Sequence, residues 1–325
     1  MNHIVGAKCL VTGGAGFVGS AVVDQLLDAG AAEVRVLDNF VRGTMSNLSQ
    51  AFEKGGVRVT AGDVCDRNLV DKLVQGSDYV FHQAALRITR CAEAPREAVA
   101  VLIDGTLNVI ESAVRHGVKK VVAASSASVY GEPSYLPIDE SHPFNNRAMY
   151  GAGKIALEQM LRAYYTTSGL PYVAFRYFNV YGPRMDIAGV YTEVLIRWLD
   201  AIESAKPPLI FGDGSQSMDF VFVDDVARAN LLAAQSDVTD EVFNVGTGVQ
   251  TSLNELCEIL LCMTNSKLRP EYREVRSVAN VQTRRAAVEK ARQQLGFEAK
   301  VSLEQGLREL IRWRKGVRQP VAEVA

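Results

Sequence analysis

Two groups of side chains in this sequence have the types and the spacing that proton transfer requires. Residues 125–131, SSASVYG, follow the apolar run VKKVVAAS, so the hydroxyls of Ser125, Ser126 and Ser128 stand at the end of a predicted buried strand. Further along, the segment YGAGK places Tyr150 four positions before Lys154. On a helix this spacing puts both side chains on one face. The pattern predicts a hydroxyl, a phenol and an amine that act together.

A glycine-rich turn precedes them, in the segment VTGGAGFVGS. Gly14, Gly16 and Gly19 satisfy the pattern G-x-G-x-x-G, and Gly13 begins the related G-x-x-G-x-x-G. The turn joins a predicted strand, KCLVTGG, to a predicted helix, GSAVVDQLLDAG, which is where a pyrophosphate meets a helix N-terminus. Asp38 ends the next strand, where an acid binds the ribose hydroxyls. We therefore predict a dinucleotide site, with NAD preferred because Asp38 repels the extra phosphate of NADP.

Two more strand ends fit the same site. In AGDVCD, Asp63 and Val64 are suited to the edge and the face of an adenine. In FHQAAL, the small side chains of Ala84 and Ala85 let the backbone pass close to a cofactor. His82, which precedes them, is interpreted as a core histidine with satisfied hydrogen bonds and not as a catalyst.

The phenol of Tyr150 is the candidate base. A free tyrosine has a pKa of about 10, too high for a base at neutral pH. The ammonium of Lys154 and a positive nicotinamide ring would both favour the phenolate and lower that pKa. The phenolate would then take a proton from a sugar or alcohol hydroxyl as hydride leaves its carbon. These residues predict an oxidoreductase step.

The elements that must position these residues alternate between strands and helices through the first half of the chain. This alternation predicts an α/β fold with a Rossmann-type, doubly wound parallel sheet. After the apolar segment YVAFRYFNVYGP the pattern loosens, which indicates a smaller C-terminal substrate lobe interleaved with the first. The predicted division is an NAD-binding domain over 1–178, to which 223–248 return, and a substrate-binding lobe over 179–222 and 249–325.

Composition bounds the function. The chain has 325 residues, 48% of them hydrophobic, and a formal net charge of −2, which is not the basic balance of a nucleic-acid-binding protein. Five widely spaced cysteines show no metal-ligand spacing, so we expect reduced thiols, a cytoplasmic location and no metal. No apolar run reaches the length of a membrane span, and no membrane partner is expected.

Nine segments along the chain resemble the extended short-chain dehydrogenase/reductase family, in its nucleotide-sugar epimerase and dehydratase branch. They occur in the order typical of that family: TGGAGFVGS, LDN, GDVCD, FHQAA, SSASVYG, YGAGK, RYFNVYGPR, GDGSQSMDFVFVDD and FNVGTG. The resemblance implies that Ser126, Tyr150 and Lys154 form the catalytic triad. It also implies a homodimer that pairs the helix at LIDGTLNVIESAV and the helix starting at Tyr150. The implied NAD-binding residues are Gly13, Gly16, Phe17, Val18, Gly19, Asp38, Asn39, Asp63, Val64, Ala84, Ala85, Tyr150 and Lys154.

The same resemblance distinguishes between reactions. Family dehydratases carry an Asp-Glu pair directly after the catalytic hydroxyl residue, and family UDP-glucuronate decarboxylases keep the Glu, whereas this chain has Ala127 and Ser128. The resemblance therefore implies an NAD-dependent 4-epimerase of a UDP-hexose or UDP-hexuronate, UDP-glucuronate included, that works through a 4-keto intermediate. The alternatives are a UDP-glucuronate decarboxylase, another NAD-dependent sugar-nucleotide oxidoreductase, or a non-enzymatic NAD sensor.

A nucleotide-sugar substrate would be bound by a further set of residues. Met218 stands where many family members have an arginine that meets the diphosphate, so Arg276, Arg284 or Arg285 would supply that charge. Arg87 is a candidate for pairing with a uronate carboxylate, and a structural salt bridge is its alternative role. The implied substrate-binding residues are Arg87, Ser126, Ser128, Asn179, Arg184, Met218 and Arg276.

Overall fold

The computed structural model describes residues 3–187, 194–274 and 281–318. Its strands are β1 (Lys8–Thr12), β2 (Glu33–Asp38), β3 (Val57–Ala61), β4 (Tyr79–His82), β5 (Lys120–Ser126), β6 (Tyr172–Tyr177), β7 (Asn179–Tyr181), β8 (Leu209–Phe211), β9 (Ser217–Met218), β10 (Phe220–Phe222), β11 (Glu241–Val245), β12 (Thr251–Ser252) and β13 (Glu271–Arg273).

The α-helices are α1 (Phe17–Asp28), α2 (Ser49–Lys54), α3 (Arg67–Val74), α4 (Ile88–Glu93), α5 (Pro95–Val99), α6 (Gly105–Arg115), α7 (Met149–Ser168), α8 (Val194–Glu203), α9 (Val223–Gln235), α10 (Leu253–Met263), α11 (Glu289–Leu295) and α12 (Leu303–Arg318). A π-helical turn, Ala100–Asp104, leads into α6, and 3-10 turns cover Met45–Leu48 and Ala127–Tyr130.

Seven parallel strands form the main sheet, in the order β11-β6-β5-β4-β1-β2-β3. The central strands are buried on both faces because helices cover both, which is why their sequences are continuous apolar runs and not alternating ones. The chain adds β2 and β3 on one side of β1 and then crosses to the other side, where β4 pairs with β1. The strand order therefore reverses at the boundary of β1 and β4. Ligands of doubly wound sheets bind at that switch point, beyond the carboxyl ends of the strands. The predicted Rossmann-type fold is confirmed.

Two apolar layers hold the sheet between its helices. On one face α1 packs against α9, with Val22, Val23 and Leu26 of α1 buried. On the other face α3, α6 and α7 pack side by side, and Leu157 and Leu161 of α7 are buried there. The two layers fix the helices that carry the reactive residues against the carboxyl edge of the sheet.

Smaller sheets lie outside the main one: β7 pairs with β10, β9 with β12, and β8 with β13. The chain then returns, since β11 pairs in parallel with β6 at the edge of the main sheet. The predicted division into an NAD-binding domain and a substrate lobe stays a prediction. Within the described ranges, every helix is too short or too polar to cross a membrane.

Candidate active site

The glycine turn after β1 lies against the backbone that follows β4. A Cβ on Gly13, whose φ is +67°, would lie 2.8 Å from the Cα of Ala84. A Cβ on Gly19 would lie 2.1 Å from the carbonyl oxygen of Gly13. Only glycine fits at either position. No side chain of the described residues caps α1 after Gly16, so the first amides of the helix face a cradle lined by backbone.

The acids predicted to bind an adenosine lie side by side beyond β2 and β3. Asp38 is buried, and its carboxylate accepts the backbone N–H groups of Ala15 and Phe40, each at 2.9 Å. The Asn39 amide donates to the Asp63 carboxylate at 2.8 Å. Asp38 is thus fixed directly at the glycine turn, in the place predicted for it.

His82 lies in the core at the end of β4. Its Nδ1 is 2.8 Å from the Thr12 hydroxyl and its Nε2 is 3.0 Å from the Thr106 hydroxyl. Thr106 donates its own proton to the Leu102 carbonyl, so His82 must be the donor at Nε2 and the acceptor at Nδ1. Burial and the charge of Lys154 lower the pKa of His82 to about 3. The ring is neutral and structural, as interpreted from the sequence.

The structure brings the three predicted catalytic residues together. Ser126 ends β5, and Tyr150 and Lys154 lie on the first turns of α7. The Ser126 hydroxyl interacts with the Tyr150 phenol, and the Lys154 Nζ lies 5.7 Å from the centre of the tyrosine ring. Lys154 is fully buried and donates to the Ala124 carbonyl at 2.6 Å. The hydroxyl, the phenol and the ammonium therefore converge at one point.

The protonation states differ in part from the sequence-based expectation. Burial raises the pKa of Tyr150 to about 12, although the contact with Ser126 acts in the opposite direction. Burial also lowers the pKa of Lys154 to about 8. In the protein alone, desolvation outweighs the contact with Ser126 and the charge of Arg284, so the phenol is protonated. The positive ring of a bound nicotinamide would lower the pKa of Tyr150.

Neighbouring serines of the same strand end face different partners. Ser125 is buried and its hydroxyl donates to the Glu158 carboxylate at 2.5 Å. Ser126 donates instead to the Ser128 hydroxyl at 3.1 Å and accepts the Ser128 backbone N–H. Successive side chains of a strand point to opposite faces, so Ser126 faces the site and Ser125 does not. Ser128, in the 3-10 turn that follows, reaches the site through its contact with Ser126. The buried Ala127 lies between them.

Sequence analysis missed Cys91 on α4. It is buried and packs with the ring of Tyr150 and with Leu102. The signal in the sequence is weak, because a single cysteine in RITRC has no partner at a recognisable spacing.

Two arginines predicted to bind substrate form ion pairs within the protein. Arg87 lies 3.5 Å from Asp186, the salt-bridge alternative considered above. Arg184, with φ at +70°, donates to Asp24 of α1 at 2.6 Å. Their assignment to substrate stays a prediction, and these ion pairs argue against it.

The remaining substrate candidates are spread along the smaller sheets. Asn179 begins β7 and Met218 ends β9, both half-buried. Arg276 lies outside the described residues. Arg284 follows the bridge to β9, and its Nε is buried without a hydrogen-bond partner among the described residues. Its guanidinium is close enough to Tyr150 for their charges to interact, so it adds a cation beside the catalytic phenol.

A family model described as the NAD dependent epimerase/dehydratase family matches residues 9–246, which include the glycine turn, Asp38 and the three predicted catalytic residues. The chain belongs to that family. The UDP-glucose 4-epimerase of Mycolicibacterium smegmatis is 36% identical over 303 residues, 92% of this chain and 96% of the relative. The UDP-N-acetyl-alpha-D-glucosaminuronate decarboxylase of Bacillus cytotoxicus is 32% identical over 321 residues, 94% and 97% of the two chains.

Solved structures agree with the family assignment. The UDP-glucuronic acid 4-epimerase of Bacillus cereus, in complex with UDP-glucuronic acid and NAD, superposes with a TM-score of 0.88 at 28% identity, covering 95% of this chain and 99% of the other. For an NAD-dependent family the cradle fits its cofactor, since the glycines leave room for a pyrophosphate and Asp38 stands where the ribose would lie.

Proposed function

We propose that this member of the family is an NAD-dependent UDP-sugar 4-epimerase. The observation that carries the proposal is the composition of the strand end: Ser126 interacts with Tyr150, which lies beside Lys154, and the next two positions are Ala127 and Ser128. Such a site has the groups that move a proton at a hydroxyl oxygen. At the two positions where family dehydratases place an acid and a base, it has none that could act at carbon.

The residues act in both directions of one reaction. Tyr150 takes the proton of the C4 hydroxyl and later returns it to the C4 carbonyl oxygen, while Ser126 donates a hydrogen bond to that same oxygen. Lys154 supplies positive charge that favours the phenolate. When bound, NAD would supply the acceptor and then the donor of the C4 hydride, and inversion requires that the keto sugar present its other face between the two transfers. The net result is inversion at C4 with the cofactor unchanged.

We further propose that the sugar is a hexuronate. What supports this is Arg284, whose buried Nε lacks a hydrogen-bond partner among the described residues. The guanidinium is close enough to Glu132 and to Tyr150 for their charges to interact, so Glu132 balances part of its charge. The C5 carboxylate of a uronate would accept the remaining Nε–H beside the phenol.

A decarboxylase is the second candidate, because one relative has that activity and a C4 ketone beside a C5 carboxylate is a β-keto acid. Decarboxylation leaves a carbanion equivalent at C5 that needs a proton donor. The Ala127 and Ser128 positions provide no strong acid for that step, and a carboxylate held by Arg284 would be kept out of line with the carbonyl π system.

The test is chromatographic analysis of products from UDP-glucose and UDP-glucuronate, without added cofactor. We expect UDP-galacturonate from UDP-glucuronate, with little CO₂. A UDP-pentose as main product would overturn the epimerase proposal, and activity on UDP-glucose alone would remove the uronate. Absence of turnover with bound NAD would favour the NAD sensor.

A pair of variants isolates the carboxylate contact. Arg284→Gln should raise the KM for the uronate more than tenfold, since a charge-assisted hydrogen bond is worth about 1.5–3 kcal/mol. It should leave the KM for any neutral UDP-hexose that reacts nearly unchanged. Arg312→Gln, the same charge change in a surface ion pair with Glu309 on α12, is the control. Equal effects on both substrates would assign Arg284 to the diphosphate.

We also propose an oligomeric state and a cellular location. A homodimer that pairs α6 and α7 is consistent with partly exposed apolar side chains on these helices, among them Val114, Met160 and Tyr164. A cytoplasmic location is consistent with five cysteines that form no disulfide. Analytical ultracentrifugation of the purified chain tests the first, and localisation of a tagged chain the second.

A further inference from the structure

Consecutive residues at the end of β5 are each held by a different residue of α7. Lys154 donates to the Ala124 carbonyl at 2.6 Å, and Glu158 accepts the Ser125 hydroxyl at 2.5 Å. The next residue, Ser126, is the catalytic hydroxyl. Glu158 stands one helical turn after Lys154, so its link to the strand fixes the same stretch of helix that carries the lysine.

A second strand completes the arrangement. Arg176 of β6 lies opposite Ser125 in the sheet and binds both oxygens of Glu158, at 2.9 and 2.7 Å. The side chains of this pair are 5% and 2% exposed. Arg176 also donates to the Tyr130 hydroxyl at 2.8 Å. The charge of Glu158 also raises the pKa of Tyr172 on β6. A buried carboxylate with these partners is fixed in position, and removing one partner of such a pair is costly.

We propose that Glu158 is a positioning residue, which holds α7 in register with β5 so that Ser126 and Tyr150 meet the same substrate oxygen with Lys154 beside them. This inference rests on the proposed function, because it concerns the same site. It assigns a role to a carboxylate that touches neither substrate nor cofactor.

The protonation of Lys154 depends on the groups that surround it. Burial lowers its pKa to about 8, while Cys91 from α4 and Glu158 from α7 act to raise it. His82 from β4 is neutral and Tyr150 is protonated in the protein alone. Burial raises the pKa of Cys91, so Glu158, which forms an ion pair with Arg176, is the carboxylate that acts on Lys154.

The first variant is Glu158→Gln, which keeps the shape and removes the charge. We expect kcat to fall about tenfold or more, with the KM for the UDP-sugar and the affinity for NAD within about twofold. The high-pH limb of the kcat profile should move to lower pH by about half a unit or more, because Lys154 loses its proton earlier without the neighbouring carboxylate. A folded Glu158→Gln protein with the original kcat and pH profile would overturn the proposal.

Two companion variants distinguish a loss of positioning from a loss of folding. Ser125→Ala removes one hydrogen bond and no charge, so the ion pair persists; we expect a fall in kcat of about threefold to tenfold and no shift of the pH limb. Glu111→Gln on α6 breaks an ion pair with Arg67 at the surface and should change neither. If Glu158→Gln does not fold, an unchanged kcat in Ser125→Ala overturns the positioning role.

A substrate-free measurement separates this inference from the proposed function. In NAD-loaded protein, the ultraviolet absorbance of tyrosinate is titrated in the parent and in Tyr150→Phe, and the difference reports Tyr150 alone. Adding Glu158→Gln to both should shift that difference curve, because α7 would then hold Tyr150 differently against Ser126, the hydroxyl that acts on its pKa. Identical curves would refute the inference even if the enzyme epimerises. A shifted curve would support it even if none of the tested UDP-sugars reacts.

Discussion

Replacing Tyr150 with phenylalanine removes only the phenolic oxygen. The ring packs against Cys91 and Leu102, and phenylalanine preserves that packing. Ser126 loses one hydroxyl neighbour but keeps its hydrogen bond to Ser128. The cost in stability is about 0.5–1.5 kcal/mol, the net contribution of one hydrogen bond. The fold should therefore survive, and so should the part of the NAD site formed by the glycine turn and Asp38.

The loss of activity should be far larger. With the pKa of Tyr150 at about 12 in the protein alone, only about one molecule in 10⁴ would carry the phenolate at about pH 8. Bound nicotinamide lowers that pKa, and the same oxygen then serves both proton transfers of one turnover. A positioned acid–base group contributes about 10²–10⁴-fold. We expect kcat to fall by at least about 10²-fold, or about 2.7 kcal/mol in the activation free energy.

The assay is product formation from the best UDP-sugar, with NAD affinity and thermal unfolding measured in parallel. Tyr135→Phe is the matched control, because that hydroxyl bonds to Asp139 at the surface, away from the triad. If Tyr150→Phe kept its rate within tenfold of the parent while NAD affinity was unchanged, proton transfer would have to be assigned to another group. The role given to the α7 residues would then be wrong.

Further changes test the cofactor site and the serine. Asp38→Asn should reduce the preference for NAD over NADP by about tenfold, because it removes the charge that repels the 2′-phosphate. The amide oxygen of the new side chain still accepts a backbone N–H. The measurement is equilibrium binding of both cofactors, and an unchanged ratio of the two affinities would contradict the prediction. Gly19→Ala should abolish NAD binding, because the new Cβ would lie 2.1 Å from a carbonyl oxygen. The control is Gly316→Ala in α12, where the new Cβ meets nothing within 4 Å. This control should bind NAD normally, and its free energy of unfolding should rise by about 0.5–1 kcal/mol. Normal NAD affinity in Gly19→Ala would show that the turn adapts. Ser126→Ala should lose less activity than the tyrosine variant, since it removes a hydrogen bond and no proton acceptor; a larger loss would exchange their roles.

Much of the site follows from spacing alone. In a parallel doubly wound sheet the carboxyl ends of the strands lie at one edge, so short motifs after successive strands must meet there. This is why Gly13 and Ala84, in separate segments, are in contact, and why Asp38 reaches the glycine turn. The Tyr150 and Lys154 pair also follows locally, because four positions are one helical turn.

Tertiary structure alone decided which charges were available and which groups were protonated. Arg184 pairs with Asp24, 160 positions away in the chain, and such a partner depends on how the helices pack. The unpartnered Nε of Arg284 is likewise a consequence of burial, which no pattern of residues displays.

The same holds for the protonation of Tyr150. The sequence determined that a phenol and an ammonium stand one turn apart, and from these two charges alone a lowered pKa is expected. The structure surrounds the phenol with protein, and desolvation penalises its charged form more than Ser126 and Arg284 stabilise it, so the pKa of the phenol rises. Spacing along a helix is a local property that a sequence contains, whereas the dielectric surroundings of a side chain exist only after the chain has folded.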